Sequence, residues 1–226
     1  ESALAAEFPP QVQARSVLET IGAGATNFAR LSERTGITQG SLVRSLATLT
    51  EGGLVAVDRP VSSASSRLVH YRVADPYLRF WLRFVGPDLE RILRGRGDLV
   101  SEAVRTSWPT YRGMAVGPVV REAIERLLPD PRTGAGSAVG HYWIRDGSLE
   151  IDLVIADRAA PSATVSAVGS IKWRDQGVFD RHDVAELHRA RALLPGAGAC
   201  PTVAVTRAGL DGGRPDGVDV HWSAAD

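Results

Sequence analysis

Apolar side chains in the first third of the chain recur with helical and then with strand periodicity. Three segments show helical spacing and end near glycines: 12–22, 26–36 and 38–53. Thr26 and Thr38 stand where the second and third helices need N-caps. The runs at 54–58 and 67–73 predict two short strands around a polar loop. Three helices followed by a hairpin predict a winged helix-turn-helix over residues 1–74.

A helical connector is predicted over residues 75–109. Asp75 is suited to cap its first helix, and aromatic side chains then recur at helical spacing, which is typical of a packing face. A second helix over 88–106 is predicted to end at Trp108-Pro109, because proline has no backbone N–H to donate within a helix.

From residue 110 onward the pattern changes to longer apolar runs. Seven segments predict the order helix, three strands, helix, strand and edge strand: 111–128, 139–145, 149–157, 163–173, 180–194, 201–206 and 218–222. Asp146-Gly147 indicates a hairpin turn between the first two of these strands. The sequence therefore predicts a two-domain α+β/α/β chain, whose second domain (110–226) has an αβββαβ core.

Charge and composition exclude several classes of protein. The formal net charge is zero, so the chain as a whole has no electrostatic preference for an anionic partner. The single cysteine, Cys200, excludes an intrachain disulfide and fits a reducing compartment. No run of 18 apolar residues occurs, and the first residues lack the basic-then-apolar order of a signal peptide. These features predict a cytoplasmic protein without membrane contact.

Lysine is almost absent from the chain. Of 26 Lys and Arg residues, 25 are arginine and only Lys172 is lysine. A lysine that remains in such a sequence suggests a position that needs a compact, titratable ammonium group. Because Lys172 lies outside any GxxxxGK[ST] stretch, this chain contains no P-loop. Zinc-ligand spacing of Cys and His and a GxSxG stretch are missing as well.

Charged residues on two predicted strands form the remaining candidate site. Glu150 and Asp152 are two residues apart, so both side chains are expected on one face of their strand. Ser170 and Lys172 share a face of the next strand, and Glu122 on the preceding helix supplies a further carboxylate. Paired carboxylates on a buried strand are costly unless they are solvated, ion-paired or bound to a cation.

This arrangement resembles the restriction-endonuclease-like superfamily, whose PD-(D/E)xK motif has an Asp on one strand and (Asp/Glu)-x-Lys on the next. The resemblance implies that Asp152 takes the first position and holds Mg²⁺, and that Lys172 orients or activates the attacking water. Glu150 is a candidate second ligand from the same face of the strand. Ser170 stands at the position of the middle acid, and a neutral hydroxyl is a poor Mg²⁺ ligand. The resemblance therefore predicts a nuclease-like domain that has lost part of its active site and is not catalytic.

Sequence stretches in both halves resemble the C-terminal region of archaeal-type P-loop ATPases. The stretches are ADPYLRFWLRFV (74–85), EIDLV (150–154) and GSIKW (169–173). Proteins of that type carry an ATPase domain, then a winged helix, then a nuclease-like domain of unknown function. The resemblance implies that the ATPase domain lies outside this chain and is its partner within one polypeptide.

Nucleic-acid contacts are predicted for the third helix and for the loop between the two short strands. The polar candidates are Thr38, Gln39, Ser41, Arg44, Ser45, Thr48, Arg59 and Arg67. Residues 11–74 hold seven arginines and four acids, a small basic excess for a DNA-binding domain. The leading hypothesis is a non-catalytic or weakly catalytic region that binds nucleic acid and regulates the ATPase. Its winged helix is expected to contact double-stranded DNA or the ATPase core, and Mg²⁺ is the one cofactor considered.

Two alternatives remain open from the sequence. One is a Mg²⁺-dependent DNA nuclease with the catalytic set Glu122, Glu150, Asp152 and Lys172. The other is a winged-helix transcription regulator with an α/β sensor domain. The second alternative needs an effector pocket, and no feature of the sequence points to one.

Overall fold

The chain folds as two compact units. The computed structural model describes residues 12–174, 179–207 and 216–224. The first unit comprises Glu1–Asp58 with Val69–Pro109, and the second comprises Arg59–Leu68 with Thr110–Asp226. Within the described ranges, no helix is both long and apolar enough to cross a lipid bilayer.

Short helices and one two-stranded sheet build the first unit. Its elements are α1 (Val12–Gly22), α2 (Phe28–Thr35), α3 (Gln39–Glu51), β1 (Val55–Asp58), β2 (His70–Val73), α4 (Pro76–Phe80), a π-helical turn (Trp81–Val85), a 3-10 turn (Gly86–Asp88) and α5 (Leu89–Leu93). The strands pair antiparallel, with Val55 opposite Val73. The helical periodicity of the sequence buries one stripe of each of the first three helices, including Val17, Leu31 and Leu42. The first three helices therefore form where the apolar pattern predicts them.

Side-chain caps begin three of these helices. Asn27, and not the predicted Thr26, caps α2, since its Oδ1 accepts a backbone N–H of the first turn at 3.0 Å. Thr38 caps α3 and Asp75 caps α4, as predicted. Gly36 ends α2 with a left-handed φ of 64°, a conformation that glycine adopts without strain. This turn lets α3 start only a few residues after α2 ends.

A five-stranded mixed sheet is the centre of the second unit. Its elements are the C-terminal part of α6 (Gly97–Leu127), a 3-10 turn (Pro131–Thr133), β3 (Ala138–Trp143), β4 (Glu150–Ala156), β5 (Val165–Lys172), α7 (Arg181–Leu193), β6 (Thr202–Thr206) and β7 (Val220–Ser223). The spatial order is β3-β4-β5-β6-β7. β3, β4 and β5 are antiparallel neighbours, whereas β5, β6 and β7 run parallel.

Helices cover both faces of the central strands. On one face, Val120 of α6 packs in a cluster with Leu153 of β4. On the other face, Leu187 of α7 packs in a cluster with Val154 and with Val61 from the short segment Arg59–Leu68. Since successive strand residues point to opposite faces, the middle of these strands is apolar throughout. Charged side chains are left to the strand ends.

One helix continues through the break that the sequence predicts. α6 runs from Gly97 to Leu127 and includes Trp108-Pro109, so the prediction of two helices separated there is wrong. Proline leaves one carbonyl, four residues earlier, without its helical donor. Pro109 and Arg105 are both exposed, so water can satisfy that carbonyl in place of the missing N–H. Pro109 is also the last residue of the first unit.

The loop between β1 and β2 belongs to the second unit, although the sequence places it in the first domain. The Val61 N–H donates to the His141 carbonyl at 2.8 Å, and the Ala163 N–H donates to the Ser62 carbonyl at 2.8 Å. Val61 is 1% exposed. Gly140 makes room for it, because a Cβ at that position would lie 2.3 Å from Val61 Cγ2. Residues 69–109, which include the whole of the predicted connector (75–109), belong to the first unit.

Gly169 of β5 tests the packing of the sheet. A Cβ on Gly169 would lie 2.7 Å from Leu153 Cδ2 and 2.9 Å from the Val203 carbonyl oxygen, and this backbone atom cannot move away freely. We expect Gly169→Ala to lower the free energy of unfolding by about 1–3 kcal/mol. The control is Gly113→Ala on exposed α6, where nothing lies within 4 Å of the added Cβ. Urea unfolding should show no loss in the control, and equal behaviour of the two variants would contradict the close packing.

Candidate functional site

Polar residues gather where the ends of β4 and β5 meet α7. A cavity of about 200 Å³ opens there. Its polar lining consists of Ser148, Glu150, Asp152, Ser170, Lys172, Glu186 and Arg189. The site exists at this place because the strands are buried on both faces until they reach their ends. It brings together Glu150, Asp152, Ser170 and Lys172, four residues that the sequence predicts as one site.

The Asp152 carboxylate is held by β5. Its Oδ2 accepts a hydrogen bond from Ser170 Oγ at 3.0 Å and a second from the Ile171 N–H at 2.9 Å. The paired positions of β4 and β5 begin at Leu153 and Gly169. Just beyond these positions, the Asp152 carboxylate accepts the hydrogen bond from the β5 backbone that a β4 carbonyl would accept in a regular ladder. Two donors on one oxygen fix the orientation of the carboxylate.

The alternation of side chains along β4 is interrupted next to the site. Between two paired positions β4 has one residue more than β3, since Val154 pairs with Gly140 and Ile151 pairs with Tyr142. Such an irregularity changes which face the following residues point to. The spacing of two between Glu150 and Asp152 therefore does not by itself place both side chains on one face.

Glu150 is an unfavourable place for a negative charge. Loss of surrounding water raises the pKa of Glu150 above the ordinary value, and the charge of Asp152 raises it further. The positive charge of Arg121 lowers it, but less strongly. Glu150 is nevertheless exposed at the edge of the cavity, so solvent limits this effect.

Lys172 points to acids of α7 and forms no ion pair with Asp152. Its Nζ lies 3.4 Å from Asp183 Oδ1 and 3.8 Å from Glu186 Oε2. Its side chain is 25% exposed. The ammonium therefore lies beside the two carboxylates of α7, where a group that positions water for attack at Asp152 would have to leave both partners.

Asp183 is a buried carboxylate that sequence reasoning missed. It is 1% exposed, and Arg174 donates to its two oxygens at 2.8 and 2.9 Å. It also occupies position N3 of α7 and forms a capping box with Asp180, which is a recognisable signal in the sequence. Burial acts to raise the pKa of Asp183, but hydrogen bonds from Arg174 and the Asp180 N–H, with the charge of Lys172, lower it below the ordinary value.

Glu122 does not belong to this cavity. It forms an ion pair with Arg126 one turn further along α6, at 2.5 Å and largely in solvent. The prediction that Glu122 completes the acidic set is therefore wrong, because the exposed face of α6 carries it. Among the described residues no group of three or more His, Cys, Asp or Glu is arranged to hold a metal ion. A site built from Asp152 and Glu150 alone stays a prediction.

The predicted nucleic-acid contacts on α3 differ in exposure. Thr38, Gln39 and Arg44 are exposed, and Arg44 Nη2 donates to Ser41 Oγ at 3.2 Å. Ser45 is 6% exposed, so its prediction as a groove-facing residue is wrong. The reason lies in the helical period. Position 45 lies on the same face of α3 as the buried side chains of Leu42, Leu46 and Leu49. The polar character of serine alone does not reveal this burial.

Arg59 and Arg67, the two predicted arginines of the loop, lie in the segment that belongs to the second unit. Both side chains are exposed. Between them, Val61 and Ser62 are buried within the second unit. The two arginines therefore reach solvent, while Val61 between them belongs to a hydrophobic core of the second unit.

Together these features define a two-unit protein with a helix-covered mixed sheet and a pocket of neutralised charges. Residues 81–186, just under half of the chain, match the model of the DUF234 family, described as "Archaea bacterial proteins of unknown function". An uncharacterized protein of Methanocaldococcus jannaschii is 25% identical over 185 residues. That match covers 81% of this chain and 40% of the archaeal protein, so the chain spans less than half of that relative. No solved structure matches the chain.

Asp183 is expected to stabilise the second unit in a pH-dependent way. Asp183→Asn should lower the free energy of unfolding at neutral pH by about 2–3 kcal/mol, because Arg174 and Lys172 lose a shared negative charge. A carboxylate with a lowered folded pKa stabilises fully above its ordinary pKa of 3.8 and loses this effect as pH falls through the folded value.

Urea unfolding across pH measures this effect. The difference between the wild type and Asp183→Asn should stay constant above about pH 5 and shrink below about pH 4. Glu186→Gln is the matched control, since it removes the half-exposed partner of Lys172 and should have a much smaller effect. A difference for Asp183→Asn that does not change with pH would contradict the role of its charge.

Proposed function

We propose that this chain is the nucleic-acid-binding and regulatory region of a larger P-loop ATPase. In this proposal α2 and α3 act as the helix-turn-helix of a winged-helix fold, and α3 contacts double-stranded DNA. The second unit has a restriction-endonuclease-like fold and does not cleave DNA. The match over 40% of the archaeal relative supports a chain that is one part of a longer protein.

The exposed polar face of α3 is the observation that carries the DNA-binding proposal. Thr38, Gln39, Arg44 and Thr48 are exposed on this helix, opposite the buried side chains of Leu42, Leu46 and Leu49. Amide, hydroxyl and guanidinium groups are those that contact base edges and phosphates. In helix-turn-helix proteins the N-terminal residues of the second helix carry these contacts. Gln39 begins α3 and Thr38 caps it, so both occupy that position.

The loop between β1 and β2 is expected to make fewer DNA contacts than the free wing of a winged-helix domain would make. Arg59 and Arg67 remain exposed, but Val61 and Ser62 between them are buried in the second unit. A loop that is anchored at Val61 and Ser62 is not free to move as an independent arm. We therefore assign DNA recognition to α3 of the first unit, and contacts made by Arg59 and Arg67 of the second unit stay a prediction.

Arg44→Ala is expected to weaken DNA binding by roughly tenfold, as one lost arginine contact costs about 1–3 kcal/mol. The measurement is fluorescence anisotropy with a short labelled duplex, repeated between about 50 and 200 mM salt. The slope of log affinity against log salt should also become shallower in Arg44→Ala.

Two controls make this measurement specific. Ser45→Ala changes a buried α3 side chain, and Arg94→Ala removes an exposed arginine of the first unit that pairs with Glu90. Neither change should alter the affinity by more than about twofold. Wild-type binding that is absent or independent of salt would contradict DNA binding and favour a protein-contact role. Equal losses in Arg44→Ala and Arg94→Ala would contradict the assignment to α3.

The neutralised charges of the second unit support a domain that does not cleave. The Asp152 oxygen that faces β5 already accepts two hydrogen bonds, one from the serine at the position of the missing acid. The Lys172 ammonium lies between Asp183 and Glu186. A metal-dependent hydrolase needs carboxylate oxygens that are open to the ion and a base or positioning group that is open to water.

A Mg²⁺-dependent nuclease is the second candidate, favoured by the common cavity of Glu150, Asp152, Ser170 and Lys172. Ser170→Glu restores the middle acid beside Asp152, with Ser170→Gln as the uncharged control of the same size. We expect Ser170→Glu to bind Mn²⁺ at least roughly tenfold more tightly than Ser170→Gln in calorimetry, since a carboxylate replaces a neutral group.

The wild type is expected to leave supercoiled plasmid intact in the presence of Mg²⁺ or Mn²⁺. Cutting by the wild type that disappears in both Asp152→Ala and Lys172→Ala would establish the nuclease and contradict our proposal. Equal Mn²⁺ binding by Ser170→Glu and Ser170→Gln would show that a carboxylate at position 170 does not create a metal site in this cavity.

A further inference from the structure

A second, larger cavity lies in the first unit, away from the polar face of α3. Its volume is about 430 Å³, which falls in the range of about 300–1,000 Å³ that is typical of small-molecule sites. α1 contributes Arg15, Ser16 and Thr20, α2 contributes Arg34, and the segment after α4 contributes Trp81 and Pro87. No sequence pattern pointed to this cavity, because its walls come from three separate stretches of the chain.

The wall opposite α1 is a π-helical turn. The Gly86 N–H donates to the Trp81 carbonyl, five residues earlier, as a π-helical turn requires. Such turns are rare, and they occur frequently at functional sites because they widen a helix and redirect its side chains. The turn is tied to the end of α1 by the Arg83 guanidinium, which donates to the Ala23 carbonyl at 3.2 Å.

Two glycines bring the walls of the cavity close together. A Cβ on Gly86 would lie 2.6 Å from Trp81 Cζ3, so the indole ring rests directly on the Gly86 backbone. A Cβ on Gly22 would lie 2.5 Å from Leu82 Cβ, so α1 approaches the π-helical turn more closely than any larger residue would permit. The indole ring is thereby held as a fixed wall, which is the preorganisation that a binding site needs.

The charges of the cavity favour an anion. Arg15 Nε pairs with Glu19 Oε1 at 2.9 Å, and both side chains are about half exposed (50% and 49%). Within the described part of the chain, no acidic side chain pairs with Arg34. The two arginines and one glutamate leave the lining with net positive charge. A guanidinium group binds phosphate or carboxylate through paired hydrogen bonds, and an indole ring stacks on planar aromatic rings.

We propose that this cavity binds a small planar aromatic anion, with Arg34 as the charged contact and Trp81 as the aromatic wall. The anionic group is a phosphate, as in a nucleoside monophosphate, or a carboxylate on an aromatic ring. The inference does not rest on DNA binding by α3, since the cavity and the exposed residues of α3 share no side chain.

Calorimetry on the 226-residue chain with AMP and with indole-3-carboxylate tests the proposal and distinguishes the two kinds of anion. Adenosine and ribose 5-phosphate each carry only half of the required chemistry and should bind much more weakly than AMP. Arg34→Ala should weaken the better probe by at least roughly tenfold. Arg30→Ala, an exposed arginine of the same helix that does not line the cavity, is the matched control and should bind as the wild type does.

Tryptophan fluorescence gives an independent readout. Trp81→Phe keeps an aromatic wall, so binding should persist while the fluorescence change caused by the ligand at Trp81 disappears. Binding of either probe with this pattern supports the proposal. Failure of both probes to bind below about 1 mM would overturn it. Equal losses in Arg34→Ala and Arg30→Ala, or equal affinity for AMP and ribose 5-phosphate, would overturn it as well.

Discussion

The second unit depends on the burial of both faces of its central strands. α6 covers one face and α7 covers the other, so every side chain in the middle of β4, β5 and β6 must be apolar or small. Gly169 satisfies the same constraint where neighbouring strands leave no room for a side chain. The constraint also decides where chemistry is located. Charged residues of these strands can only lie at their ends, where Asp152 and Lys172 reach a cavity beside α7.

Much of the fold follows from local sequence, and the exceptions have physical reasons. Apolar periodicity identifies the helices and strands, because burial of one stripe or one face is what stabilises them. It fails at Pro109, where an exposed helix tolerates a proline that a buried helix would not. It also fails for the loop between β1 and β2, since membership of a unit depends on the long-range contacts of Val61. Strand order and register likewise depend on pairings that no local pattern contains.

Four residues of the candidate site, Glu150, Asp152, Ser170 and Lys172, were predictable from the sequence. The contacts that these side chains make were not. The spacing of Asp152, Ser170 and Lys172 correctly indicates one end of two adjacent strands. It does not reveal that Lys172 turns to Asp183, because that partner follows on a separate helix. The two candidate regions also differ in how their charges are used. The Lys172 ammonium of the second unit lies beside two carboxylates, whereas Gln39 and Arg44 of α3 in the first unit are exposed. This difference is why we assign binding to the first unit and a framework role to the second.

The segment Arg59–Leu68 ties the folding of the two units to one another. The chain leaves the first unit after Asp58, contributes Val61 to the core of the second, and returns at Val69. Neither unit is therefore a continuous stretch of sequence. A gene fragment that ends after the hairpin would carry Val61 without the strands that bury it, and the remaining fragment would have a gap in its core. The nascent chain can therefore bury Val61 only after the later strands of the second unit have been made.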